Sequence, residues 1–151
     1  MSTNMINLLK QRRISYVNKI TVAEKKITSL ENAHDSLTAF KRIVTSSQEN
    51  FQSLNSNKKN ILTNVSDVKK YSVCAQKYYT GMKGTLNNIG TTIIGAVYSA
   101  LLASISLKLK GYVSSVDSYE NDIAAYNEKI SEIDQEIATL EALAQVTDTS
   151  S

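Results

Sequence analysis

The sequence predicts an all-α fold: an elongated antiparallel helical hairpin of coiled-coil type, with a short additional helix near the middle of the chain. Three observations lead there. Proline is absent from the 151 residues, where average usage would supply about seven. The five glycines are Gly81, Gly84, Gly90, Gly95 and Gly111, so the first eighty residues have neither of the residues that usually punctuate turns and sheets. Two long heptad repeats, one in each half of the chain, supply the apolar stripes that helices pack by. A length of 151 residues corresponds to about one domain, and the spans expected are a hairpin domain over 1–146 and a disordered tail over 147–151.

The first repeat places Leu9, Tyr16, Ala23, Leu30, Leu37, Val44 and Phe51 at one heptad position. The paired position holds Ile6, Arg13, Ile20, Ile27, His34, Lys41 and Gln48, apolar at first and polar later. This pattern predicts a helix from about Thr3 to Leu54, about 75 Å at the α-helical rise. Asn55 to Asn60 are polar residues that compete with the helix backbone, and a break is expected there. A shorter helical pattern follows through Ile61, Leu62, Val65, Val68, Ser72, Ala75 and Tyr79. Gly81 and Gly84 then read as its stop.

The second repeat is the stronger. Alternating steps of four and three from Tyr98 meet Leu102, Ile105, Leu109, Tyr112, Val116, Tyr119, Ile123, Tyr126, Ile130, Ile133, Ile137, Leu140 and Ala144, each apolar or aromatic. Neither long helix is stable alone, because each needs its stripe covered. The hairpin seam therefore joins Leu30 and Leu37 of the first helix to the residues Tyr112, Tyr119, Ile123, Tyr126, Ile130, Ile133 and Ile137 of the last. Gly111 lies off this seam. Thr147 to Ser151 have no apolar anchor, so the end should fray.

Charge divides unevenly. Residues 1–83 hold fourteen basic and five acidic groups, residues 84–151 three and nine. Antiparallel folding of the two halves would largely compensate these charges within the molecule. The basic residues are dispersed and no aromatic stacking platform accompanies them, which argues against nucleic acid. Met1 to Arg13 show no apolar core and no small-residue cleavage site, unlike a conventional signal peptide. Residues 84–107 carry no charge and are long enough to span a bilayer. Asn87, Asn88, Thr91, Thr92, Ser99, Ser104 and Ser106 dilute them, and burial by protein is favoured over insertion.

Catalytic chemistry is poorly provided for. The single Cys, Cys74, excludes an intramolecular disulfide or a multi-cysteine zinc site, and the single His, His34, excludes histidine-pair metal motifs. Cys74 has neither base nor orienting group in a recognisable pattern and reads as a small buried or half-buried residue. His34 reads as a seam residue that sets register. Glu128, Glu132, Asp134, Glu136 and Glu141 lie off the seam, where a solvated face is expected. No enzyme activity, cofactor or metal is expected.

Residues 89–103 point to a partner. Gly95, Ser99 and Ala103, and Ala96 with Ala100, are spaced for close helix approach. Ile94, Val97 and Leu101 form a face displaced from the seam, broader than one covering helix hides. Charge-free apolar surface of this kind marks an interaction site, here for a helical protein. Two alternatives are a self-associating structural coiled coil and a membrane-active helix using residues 85–107.

A long helix, the triplet Tyr79-Thr80-Gly81 and a second long helix resemble the W-x-G class of small type VII-secreted proteins of Gram-positive bacteria. The length resembles its YwqH-like branch more closely. The resemblance implies an aromatic-x-Gly break at Tyr79 and Gly81. It also implies an accessory role: binding the helical N-terminal domain of an LXG toxin, with a second small helical protein as a further partner, and delivering it from the cytoplasm for export without a cleaved signal peptide. Tyr79 stands where that class has Trp. The class's Tyr-x-x-x-Asp/Glu export signal is missing, since Ile123 follows Tyr119 and Ile130 follows Tyr126. On this resemblance the partner supplies the signal, or it takes another form.

Overall fold

The structure, a computed structural model, describes residues 2–149, apart from the side chains of Val68 and Ile89. It is all-α, with no strand among the described residues. Helix α1 runs Ser2–Val68, a 3₁₀ turn Lys69–Tyr71, α2 Val73–Leu86 and α3 Ile89–Thr149.

The break expected at Asn55 to Asn60 does not occur, because α1 continues through it to Val68. Each Asn, Ser or Lys in that stretch disfavours a helix by only a few tenths of a kcal/mol. The burial of Leu62, 8% exposed, gives the helix a reason to continue. The true break comes later. After the 3₁₀ turn, Ser72 adopts an extended backbone (φ −147°, ψ 125°) and caps α2, its hydroxyl accepting the Ala75 N–H at 3.3 Å. The short helix thus begins at Val73, and residues 61–68 belong to α1.

The aromatic-x-Gly break is likewise corrected. Tyr79, Gly81 and Gly84 lie inside α2, which extends to Leu86, and no glycine has positive φ. Glycine in a helix interior costs about 1 kcal/mol against alanine but does not end the helix. Burial of Leu86 carries α2 past Gly84. The chain stops instead at Asn87 and Asn88. Asn87 N–H donates to the Lys83 carbonyl (3.1 Å), and the Asn88 carbonyl accepts the N–H of Thr91 (3.1 Å) and Thr92 (3.4 Å), opening α3. The Thr91 hydroxyl spans the junction to the Thr85 carbonyl at 3.3 Å.

At the far end, α3 continues through Thr149, so residues 147–149, expected in a disordered tail, are helical. The threonine hydroxyls here bond back along the helix, Thr147 donating to the Leu143 carbonyl and Thr149 to that of Gln145. Residues 150 and 151 of that tail lie outside the described residues.

The chain divides into two compact units: residues 1–34 with 111–151, and residues 35–110. In the first, Leu9, Ala23 and Ile133 are each 5% exposed, and Leu30, Tyr112, Tyr119, Ile123, Tyr126, Ile130 and Ile137 are half-buried. Contacts cross from α1 to α3. Arg13 Nε donates to Asp134 Oδ1 at 2.7 Å, and the rings of Tyr16 and Tyr126 lie 5.9 Å apart, tilted by 38°. Lys26 Nζ sits 5.4 Å above Tyr119, and Lys19 serves both Tyr16 (5.2 Å) and Tyr126 (5.8 Å) as a cation–π partner. In the second unit Val44, Leu62, Leu86 and Ile105 are buried, Leu37 is half-buried, and Phe51 of α1 meets Tyr98 of α3 at 6.0 Å.

Candidate interaction surface

The uncharged stretch 84–107 lies within the second unit. One side of α3 here faces inward, with Ile105 buried and Tyr98 and Leu102 half-buried. The other side carries the three residues that the spacing singled out: Ile94, Val97 and Leu101 are 45%, 59% and 38% exposed. They belong to a longer stripe than their hydrophobicity marks. Gly90, Ile94, Val97, Leu101, Ser104 and Lys108 follow the same alternation of four and three, and all six are exposed. The continuing step was the available signal. It is masked because the stripe opens on Gly and closes on Ser and Lys, so hydrophobicity alone does not mark it.

The glycines on this surface have no internal role. A Cβ added to Gly90 or Gly95 meets nothing within 4 Å, and neither has the positive φ that only glycine accepts readily. The combined stretch Val73–Thr149 also contains an 18-residue window of mean hydropathy 1.6, long and apolar enough to cross a membrane by length and composition.

Beside the 3₁₀ turn lies a cluster of lysines and tyrosines. Lys69 Nζ is 4.0 Å and Lys83 Nζ 5.8 Å from the ring centre of Tyr79, while Lys70 covers Tyr71 at 5.5 Å. Tyr79 therefore serves as a half-buried platform for two ammonium groups, in place of the helix stop expected of it. Gly81 is exposed within α2. An open groove of about 430 Å³ runs past Lys69, Lys70, Tyr71, Ser72, Gln76 and Tyr79. A second open groove, of about 670 Å³, lies in the first unit among Ile14, Lys19, Val22, Lys26, Tyr119 and Tyr126.

The reactive residues lie elsewhere and do not converge. Cys74 is exposed near the start of α2, contrary to the burial expected of it. A position one residue inside a capped helix leaves its side chain free to face solvent. His34 is half-buried on the α1 stripe. Among the described residues no group of three or more His, Cys, Asp or Glu is placed to hold a metal ion. The acidic face of α3 is engaged in surface pairs, Asp134 with Arg13 and Glu132 with Lys129 at 3.1 Å. The hydrogen bond to Glu132, and then its negative charge, hold the Lys129 ammonium above the ordinary lysine value.

The two units differ in charge. Residues 35–110 hold ten Lys and Arg against three Asp and Glu, a net +7, whereas the other unit holds seven against eleven, a net −4. Each unit draws on both halves of the chain, so folding leaves the second unit strongly basic where compensation was expected. No protein-family model, curated protein or solved structure matches the chain.

Proposed function

We propose that this chain is a non-enzymatic helical partner-binding protein. It serves as an accessory factor that binds the helical N-terminal domain of an LXG-type toxin in the cytoplasm for type VII secretion. No cofactor or nucleic acid takes part. In this reading α1 and α3 pair antiparallel, as in a hairpin. Support comes from the first unit, where Arg13, Tyr16 and Lys26 in rising order meet Asp134, Tyr126 and Tyr119 in falling order.

The observation that carries the partner-binding role is the exposure of Ile94, Val97 and Leu101 on a stretch without charge. Apolar surface of this extent is costly to leave in water, and a partner helix removes it. Co-expression of the chain with a tagged toxin N-terminal domain tests the reading. The two should co-purify. Val97→Lys should weaken binding by roughly 2–5 kcal/mol, because it places an ammonium in an apolar contact. Helix content should be unchanged, since Val97 is exposed in the free chain. Co-purification that survives Val97→Lys would remove this surface from the account.

A second reading has an observation of its own. The apolar window of mean hydropathy 1.6 is only 6% buried, unlike the core helix of a folded domain. In that reading residues 85–107 insert into a bilayer, and the chain would float with lipid vesicles in the absence of any protein partner.

A further inference from the structure

We infer that the occupant of the α3 stripe is an acidic amphipathic helix of another protein, apolar along one face and carrying Asp or Glu along its flanks. This deepens the partner-binding reading and rests on it. Three features of the second unit select that chemistry.

The first is the stripe itself. Gly90, Ile94, Val97, Leu101, Ser104 and Lys108 repeat in steps of four and three, the spacing by which one helix receives another. Three central apolar residues, with small residues at Gly90 and Ser104, shape a shallow seam about five turns long. An extended peptide or a flat surface would not follow this alternation. The open space over Gly90 gives a partner backbone room to approach closely.

Charge is the second feature. In sequence the uncharged stretch lies between Lys77 and Lys83 of α2 and Lys108 and Lys110 of α3, within a unit of net charge +7. No charge lies along the seam before Lys108, so the choice of partner is made by the positive field of the unit around it. Acidic flanks are attracted, and basic flanks are repelled.

The third feature separates this occupant from its rivals. A second copy offering the same surface would bring another +7 against the first, so symmetric self-pairing through the stripe is opposed by like charge. A lipid bilayer would wet the whole circumference of the helix. Here the inward side is already taken by Tyr98, Leu102 and Ile105, and the outward side is interrupted by Gly90, Thr92 and Ser104. Small and hydroxyl residues among apolar ones suit helix packing better than contact with acyl chains.

The experiment uses the full chain and two designed 28-residue helical peptides with the same Leu/Ile face, one flanked by Glu and one by Lys, with binding read by fluorescence anisotropy. The Glu-flanked peptide should bind at least tenfold more tightly than the Lys-flanked one, and added salt should shrink the difference. Val97→Lys should abolish binding of the Glu-flanked peptide. The double variant Lys83→Glu, Lys108→Glu, which lowers the unit from +7 to +3, should shrink the preference while its circular dichroism matches that of the parent. Equal binding of the two peptides, or binding of neither, overturns the inference. So does a parent chain that binds phosphatidylglycerol vesicles but neither peptide, or one that self-associates through Val97. Failure here with intact co-purification of the toxin domain leaves the partner-binding reading standing. Loss of co-purification with the peptide preference retained removes the toxin and keeps the acidic helix.

Discussion

At the scale of single residues, position on or off a seam decides what a side chain contributes. Ile133 is 5% exposed, so Ile133→Ala should cost about 2–4 kcal/mol in urea denaturation, through lost transfer energy and the cavity left behind. Ile130, on the same seam, is only half-buried and should cost less. Asp134 is off the seam but bonded to Arg13, in a pair whose side chains are 43% and 49% exposed. Solvent screens such a pair, and Asp134→Ala should cost less than about 1 kcal/mol. Lys129 and Glu132 are exposed by 55% and 56%. Because the Lys129 value is raised, its small contribution is complete below the ordinary lysine value of 10.5 and is lost only as pH rises through the raised one. Replacing Lys129 by Gln should therefore leave the pH dependence of stability around neutrality parallel to that of the parent.

At the scale of elements, the helix boundaries are set by caps and buried anchors. Glycine and polar runs have less influence. Ser72 satisfies the Ala75 N–H, and Ser72→Ala should destabilise the start of α2 by about 1 kcal/mol. Faster hydrogen exchange at the amides of α2's first turn would show it. Gly81 and Gly84 test the corrected break directly. Both lie in helical backbone with nothing within 4 Å of an added Cβ. Gly81→Ala and Gly84→Ala should each raise helix content and stability, by up to about 1 kcal/mol. Were the chain to stop at Tyr79-Thr80-Gly81, the same changes would destabilise it. The threonines of α1 follow a related logic. Thr21, Thr28, Thr45 and Thr63 each donate to the carbonyl four residues earlier, a back-bond that satisfies the hydroxyl at a slight cost to the helix, so α1 continues on the strength of its buried stripe.

At the scale of the molecule, two units of opposite charge sit on helices that both units share. Burial is thin throughout, since no side chain among the described residues falls below 2% exposure. Helix-on-helix packing explains this, because a helix covered along one stripe keeps the edges of that stripe near water. Large apolar residues are left exposed in both units, more of them in the second, from Phe40 and Ile43 to Val97, Leu101 and Leu107. This unit is also the basic one, and the two properties together motivate a partner-covered surface. A partner that binds there should raise the melting temperature of the chain, by mass action on the folded state, and differential scanning fluorimetry with the Glu-flanked peptide would read the shift.

The helical class, the phase of both heptad repeats and the face that holds Ile94, Val97 and Leu101 were legible in the sequence. Each follows from periodicity, which is a local property: a residue's angle around its own helix is set by residue spacing alone. The place where each helix stops was not legible. Whether Asn55 to Asn60 or Tyr79-Thr80-Gly81 breaks the chain turns on a balance of a few tenths of a kcal/mol per residue against burial of Leu62 and Leu86, and burial exists only once tertiary neighbours are present. The exposure of Cys74 and the turn of Tyr79 toward Lys69 and Lys83 depend on neighbours in the same way. Net charge could be summed from the sequence, but not its division into a +7 and a −4 unit. That division depends on which stretches of α1 and α3 pack together, and only the tertiary structure decides it.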